Sequence, residues 1–183
     1  MKIIITTCLL FIYHNALLAQ VNVQNSGILY IGSASDTFFV ASSFTNTTGA
    51  ALTNNGAFYV KQDISNGQAS MAAGSGTLFL NGITAQSVNG TQSFKTYNLV
   101  TNNAAGITLN NNLSVSGTHN FVAGMITTAA TPNYMIYEAG SSYSGSNDSR
   151  HVNGWVKKIG STNFIFPVGS VTYERPVALF NLS

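Results

Sequence analysis

Short apolar triplets return along this chain at a nearly constant interval. Phe38-Phe39-Val40 is followed at successive steps of twenty residues by Phe58-Tyr59-Val60, Leu78-Phe79-Leu80 and Asn98-Leu99-Val100, and Asn120-Phe121-Val122 comes twenty-two later. A unit of that length cannot bury its own apolar face, but it can do so by stacking on copies of itself. Helix signals are weak between residues 27 and 135, because Gly, Asn, Ser and Thr interrupt every apolar run and favour turns and strands over helix interiors. The expected fold is all-β: a right-handed parallel β-solenoid with one coil per repeat over residues 20–139. Handedness follows from the general preference for right-handed crossovers. Coils would stack about 4.8 Å apart, so five make a rod of roughly 24 Å.

Alternation along a strand splits the triplets into two columns that face opposite ways. Val40, Val60, Leu80, Val100 and Val122 form one, expected to be core with Phe38, Phe58 and Leu78 beside it. Asn98 and Asn120 would continue that inner stack as an amide ladder. Phe39, Tyr59, Phe79, Leu99 and Phe121 would then face outward. Outward rings are either covered by a neighbouring loop or form a platform for sugar rings. The candidate ligand-contact surface is therefore Phe39, Tyr59, Phe79 and Phe121, together with the sole tryptophan, Trp155. Turn dipeptides at Asn55-Gly56, Asn66-Gly67, Asn81-Gly82 and Asn89-Gly90 suit coil corners.

Charge narrows the function classes. Asp, Glu, Lys and Arg make up 7% of the 183 residues, with a formal net charge of +2, against about a quarter in ordinary soluble domains. No basic patch is present to neutralise phosphates, so nucleic acid is not an expected partner. Residues 1–19 read as a cleaved export signal: Lys2 supplies a short positive region, residues 3–13 are apolar, and Ala19 precedes the cut. The apolar run is too short to span a bilayer, and no later run approaches that length. Cys8, the only cysteine, lies inside this signal, so the exported chain has no disulfide.

From residue 140 the composition shifts. Ser141 to Ser149 read as a linker, and the rest of 140–183 as a β-rich antiparallel cap or the start of a following module, bounded by Pro167 and Pro176. Such a cap would cover open strand edges at the end of the solenoid.

The segments His151-Val-Asn-Gly, Lys158-Ile-Gly160, Phe164-Ile-Phe-Pro-Val-Gly169 and Tyr173-Glu-Arg-Pro176 resemble a block found in large secreted surface proteins of the Bacteroidetes. Gly74-Ser-Gly-Thr-Leu-Phe-Leu-Asn-Gly82 and Tyr97-Asn-Leu-Val-Thr-Asn-Asn103 resemble the repeats that precede it there. Trp155 departs from the usual Pro after Asn-Gly. The resemblance implies adhesin-like cargo of the type IX secretion kind, with this chain as the N-terminal part of a longer protein. It supplies no catalytic or binding residues.

Catalysis on a solenoid needs paired carboxylates, or acids and a base around a metal. The acids are Asp36, Asp63, Glu138, Asp148 and Glu174. Asp36 and Asp63 are not a whole number of coils apart, and the other three lie outside the regular repeat. Asp148, Ser149 and His151 read as a loop rather than a triad, and His119 as a surface or coil-corner residue. No catalytic residue, metal site or cofactor is expected. The reading is a non-catalytic secreted or cell-surface structural or adhesion protein, whose partner is a surface polysaccharide or another cell-surface protein. The alternative is a polysaccharide-binding or polysaccharide-processing β-helix module with active residues beyond Ser183.

Overall fold

A computed structural model of the chain describes residues 22–128 and 131–180. The expected export signal lies outside the described residues. Among the described residues there is no helix, and the chain forms a parallel β-solenoid of about six turns with a short antiparallel pair at its C-terminal end.

Each turn visits three sides in the same order. The first side is a seven-stranded parallel sheet: Val23–Asn25, Phe44–Asn46, Ile64–Asn66, Gln86–Gly90, Ile107–Leu109, Ile126–Thr128 and Val152–Asn153. The second side is made in two pieces. Ile28–Ile31 pairs with Ala51–Asn54, and after a coil without a strand there the side resumes as Phe94–Thr96, Leu113–Val115, Met135–Tyr137 and Val156–Lys158. The third side is six-stranded: Thr37–Val40, Ala57–Val60, Thr77–Leu80, Asn98–Asn102, Thr118–Ala123 and Ser142–Ser144. Strands on each side present alternate residues inward. Phe44, Phe58, Ile64, Leu78, Val88, Leu109, Leu113 and Ile126 fill a continuous core.

The triplets are the strands of the third side, and the first three coils run at the expected register. Phe38, Phe58 and Leu78 align, as do Val40, Val60 and Leu80; Val40, Val60 and Leu80 are buried. The next coil takes twenty-one residues. Leu99 therefore pairs with Leu78, and Val100 with Phe79. A slip of one residue turns every side chain to the other face. Leu99 and Phe121 are buried, while Val122 is exposed. The expected columns thus hold for three coils and exchange faces afterwards.

The expected amide ladder also moves. Asn98 and Asn120 face outward; Asn98 Oδ1 accepts from the Thr118 N–H at 2.9 Å, and Asn120 is exposed. The interior ladder is instead on the first side. Asn25 Nδ2 donates to Asn46 Oδ1 at 2.8 Å, and Asn46 Nδ2 to Asn66 Oδ1 at 2.9 Å. Asn46 and Asn66 are fully buried. Their paired amides satisfy donors and acceptors that would otherwise be costly in the core.

The coil continues past residue 139. Ser142–Ser144, in the segment expected as a linker, pairs in parallel with Thr118–Ala123, and Val152–Asn153 and Val156–Lys158 extend the other two sides. Only then do Phe164–Phe166 and Val177–Leu179 pair antiparallel. Phe164 roofs the core, its ring 5.1 Å from Tyr137 and 5.7 Å from Tyr143. Residues 167–169 lie across Val152, whose N–H donates to the Pro167 carbonyl at 2.8 Å.

Candidate functional site

The outer surface of the third side carries the aromatic column. Phe39, Tyr59 and Phe79 occupy one register position on successive coils, continued by Val100, Asn120 and then Ser144. Beside them runs a column of small, mostly polar residues, in which Thr37, Ala57, Thr77 and Asn98 are in register. Two shallow grooves border this surface. One, of about 320 Å³, lies at the strand starts and is lined by Gly56, Ser75, Thr77, Phe79 and Asn98. The other, of about 340 Å³, lies at the strand ends against Lys61, Gln62 and Ile83.

Ring geometry decides what this column can do. Tyr59 and Phe79 stack with centroids 4.2 Å apart and planes within 8°. Each therefore covers a face of the other, and the pair turns its edges toward solvent. Phe39 is tilted 41° to Tyr59 at 6.3 Å, and the Lys61 ammonium stands 5.9 Å over its ring. A sugar docks its C–H surface on a ring face, and the faces of the Tyr59–Phe79 pair are turned along the solenoid axis. The stack is a contact between coils, with the offset and parallel arrangements that aromatic pairs favour.

The five residues singled out from sequence do not share one surface. Phe39 is 55% exposed, and Tyr59 and Phe79 are half-buried on the outer face. Phe121 is 2% exposed and lies inside, 3.8 Å from the His119 ring; the one-residue slip put it there. Trp155 is 52% exposed, but it belongs to the last coil. Its backbone N–H donates to Thr128 Oγ1 at 2.9 Å, and its ring meets Tyr134 edge-on at 6.5 Å.

His119, expected at a surface or corner, is fully buried. Its Nε2 lies 3.0 Å from Thr101 Oγ1 and its Nδ1 2.9 Å from the Tyr137 hydroxyl. Burial lowers its pKa from 6.5 to about 3, so the ring is neutral. The Tyr137 hydroxyl is held well above its ordinary value, first by burial and then by the neighbouring Tyr143. This polar triad was missed because His119 follows Thr118 in a stretch that looks like a turn. The twenty-residue spacing from Leu99 was the available signal, since Leu99 and His119 are direct partners.

Asp148, Ser149 and His151 are not arranged as a triad. Ser149 Oγ donates to Asn147 Oδ1 at 3.0 Å. Asp148 Oδ1 accepts from the Glu174 N–H at 3.0 Å. Both His151 nitrogens face backbone carbonyls, those of Asn147 at 3.0 Å and Ser170 at 2.7 Å. Asp148 and Glu174 line an open polar hollow of about 570 Å³ with Asn147, Ser149 and Thr172. Among the described residues no group of three or more His, Cys, Asp and Glu side chains could hold a metal ion. No described helix is long and apolar enough to cross a membrane.

A scan against protein-family models, a search of curated proteins and a search of solved structures each found no match to this chain.

Proposed function

We propose that this chain is an exported, non-catalytic structural protein, acting at the cell surface as a stalk or adhesive surface. The observation that carries this reading is where the outward side chains are spent. Lys61 Nζ donates to the Asn81 carbonyl at 2.9 Å, and Asn110 Nδ2 to Asn89 Oδ1 at 2.9 Å. Asn111 Nδ2 donates to the Gly90 carbonyl at 2.7 Å, and Ser75 N–H and Oγ both donate to Asn55 Oδ1. Tyr59 is spent on Phe79 in the same way. These bonds join residues about one coil apart, so the exterior stiffens the rod. A neutral, Asn- and Thr-rich exterior of this kind suits contact with a surface polysaccharide or another cell-surface protein. The leader-like residues 1–19 and the resemblance to Bacteroidetes surface proteins support export.

The test is attachment by cells that lack the protein. Loss of attachment, restored by the wild-type gene and equally by Tyr59→Ser with Phe79→Ser, supports a structural or adhesive rod. Restoration by the wild type alone supports the polysaccharide-binding alternative, with the aromatic column as its site. Unchanged attachment in the deletion strain removes the reading.

A further inference from the structure

The two ends of the solenoid differ. At the C-terminal end, residues 167–169 pair with Val152 and Phe164 roofs the core. At the other end, Val23–Asn25, Ile28–Ile31 and Thr37–Val40 are the outermost strands of their sheets among the described residues. Their inner bonds run to the second coil: Val23 N–H to Ser43, Thr47 N–H to Asn25, Ala51 N–H to Gly27, Asn55 N–H to Ile31, Ala57 N–H to Asp36 and Lys61 N–H to Val40. Backbone groups alternate in direction along a strand. Gln24, Ile28, Tyr30, Thr37 and Phe39 therefore turn their N–H and C=O groups away from the solenoid, toward the open edge.

Edges of this kind are normally blunted by Lys, Pro or a bulge. These strands read VQN, ILYI and TFFV, with no charge and no proline. Ile28 is 87% and Tyr30 64% exposed. The one charge carried by the first coil, Asp36, is turned back onto the N–H groups of Gly32 and Ser33 at 3.0 and 2.9 Å. On the export reading proposed above, on which this inference rests, cleavage after Ala19 leaves only Gln20, Val21 and Asn22 before the first strand. Three residues cannot cover three strand edges.

We infer that the first coil is a dimerisation edge, on which a second copy of this chain adds its own first coil. An occupant must offer strand edges on three sides at once, and an identical coil does so. Because residues 167–169 already occupy the Val152 edge at the far end, a head-to-tail neighbour cannot pair there on all three sides. The two copies meet edge to edge about a two-fold axis, which closes at a dimer.

The experiment is sedimentation velocity on the processed protein, with its N-terminus read by mass spectrometry. Thr37→Pro and Tyr30→Pro each remove one outward N–H and no backbone bond to the second coil, Tyr30→Pro also giving up the exposed 3.4 Å bond from Asn55 Nδ2 to the Tyr30 hydroxyl, and an edge strand tolerates proline at such a position. The expected result is a wild-type species of twice the monomer mass and monomers for both variants, with thermal midpoints of the monomeric fold retained. If one variant fails to fold, the other carries the test. A monomeric wild-type protein starting at Gln20 overturns the inference, as does a dimer that both variants leave intact. A protein still starting at Met1 refutes the export reading, and with it the exposed edge on which the inference depends.

Discussion

Val60 and Tyr59 sit side by side on one strand in opposite surroundings. Val60 is fully buried and Tyr59 lies on the outer face against Phe79. Val60→Asp places an unpaired carboxylate in the core, which costs several kcal/mol, while Tyr59→Ser gives up ring contacts with Phe79 and Phe39 worth about 1 kcal/mol each. Urea unfolding should rank the two far apart, with Val60→Asp at or beyond loss of folding. The reverse order would mean that the faces of this side are exchanged. His119 sets an acid limit. Its folded pKa of about 3 lies below the ordinary 6.5, so below that ordinary value the unfolded chain takes up a proton the folded chain does not. The contribution is present in full above about pH 6.5 and is lost as pH falls toward 3. His119→Gln keeps hydrogen-bonding capacity toward Thr101 and Tyr137 without titrating. Stability measured between pH 7 and 4 should fall less steeply in this variant than in the wild type; identical slopes would remove His119 as the cause.

At the scale of strands and coils, the Asn25–Asn46–Asn66 ladder ties the first three turns of one side. Asn46 accepts from Asn25 and donates to Asn66 and Gln68. Asn46→Asp keeps the shape but points an oxygen at the acceptors Asn66 Oδ1 and Gln68 Oε1. It should destabilise by several kcal/mol, more than Asn46→Ala, which forfeits hydrogen bonds worth about 1–3 kcal/mol. Equal stabilities for the Asp variant and the wild type, by denaturant midpoint, would show that the ladder is not buried as described. How much of the fold was legible follows from the same elements. The triplets revealed the strands and the solenoid because an apolar face repeats at the coil period. The twenty-one-residue step between Leu78 and Leu99 was not legible, since Leu99 and Val100 are both apolar and either could face inward. The interior amides were hidden for a related reason: Asn46 and Asn66 look like the turn asparagines around them, and only cross-coil pairing separates a ladder from a corner. The strand Ser142–Ser144 escaped because its Ser-rich sequence carries almost no apolar signal, and pairing with Thr118–Ala123 supplies what composition does not.

For the molecule as a whole, stability comes from many similar coil-to-coil contacts, so a change on one turn is felt chiefly by its neighbours. The Tyr59–Phe79 stack, which composition alone allows to be read as a binding platform, belongs by its ring planes to those contacts. Of the five residues picked out from sequence as a ligand surface, Phe39, Tyr59 and Phe79 were legible as an outward column, Phe121 was displaced by the register slip, and Trp155 stands on the last coil. An exported rod works outside the cell, and intact cells that make the protein offer the most direct measurement of that proposal. Surface labelling with a membrane-impermeant amine reagent, followed by recovery and mass determination, reads location and processing together. The expected result is a labelled protein whose N-terminus is Gln20. A chain that begins at Met1 and is labelled only after lysis would contradict it.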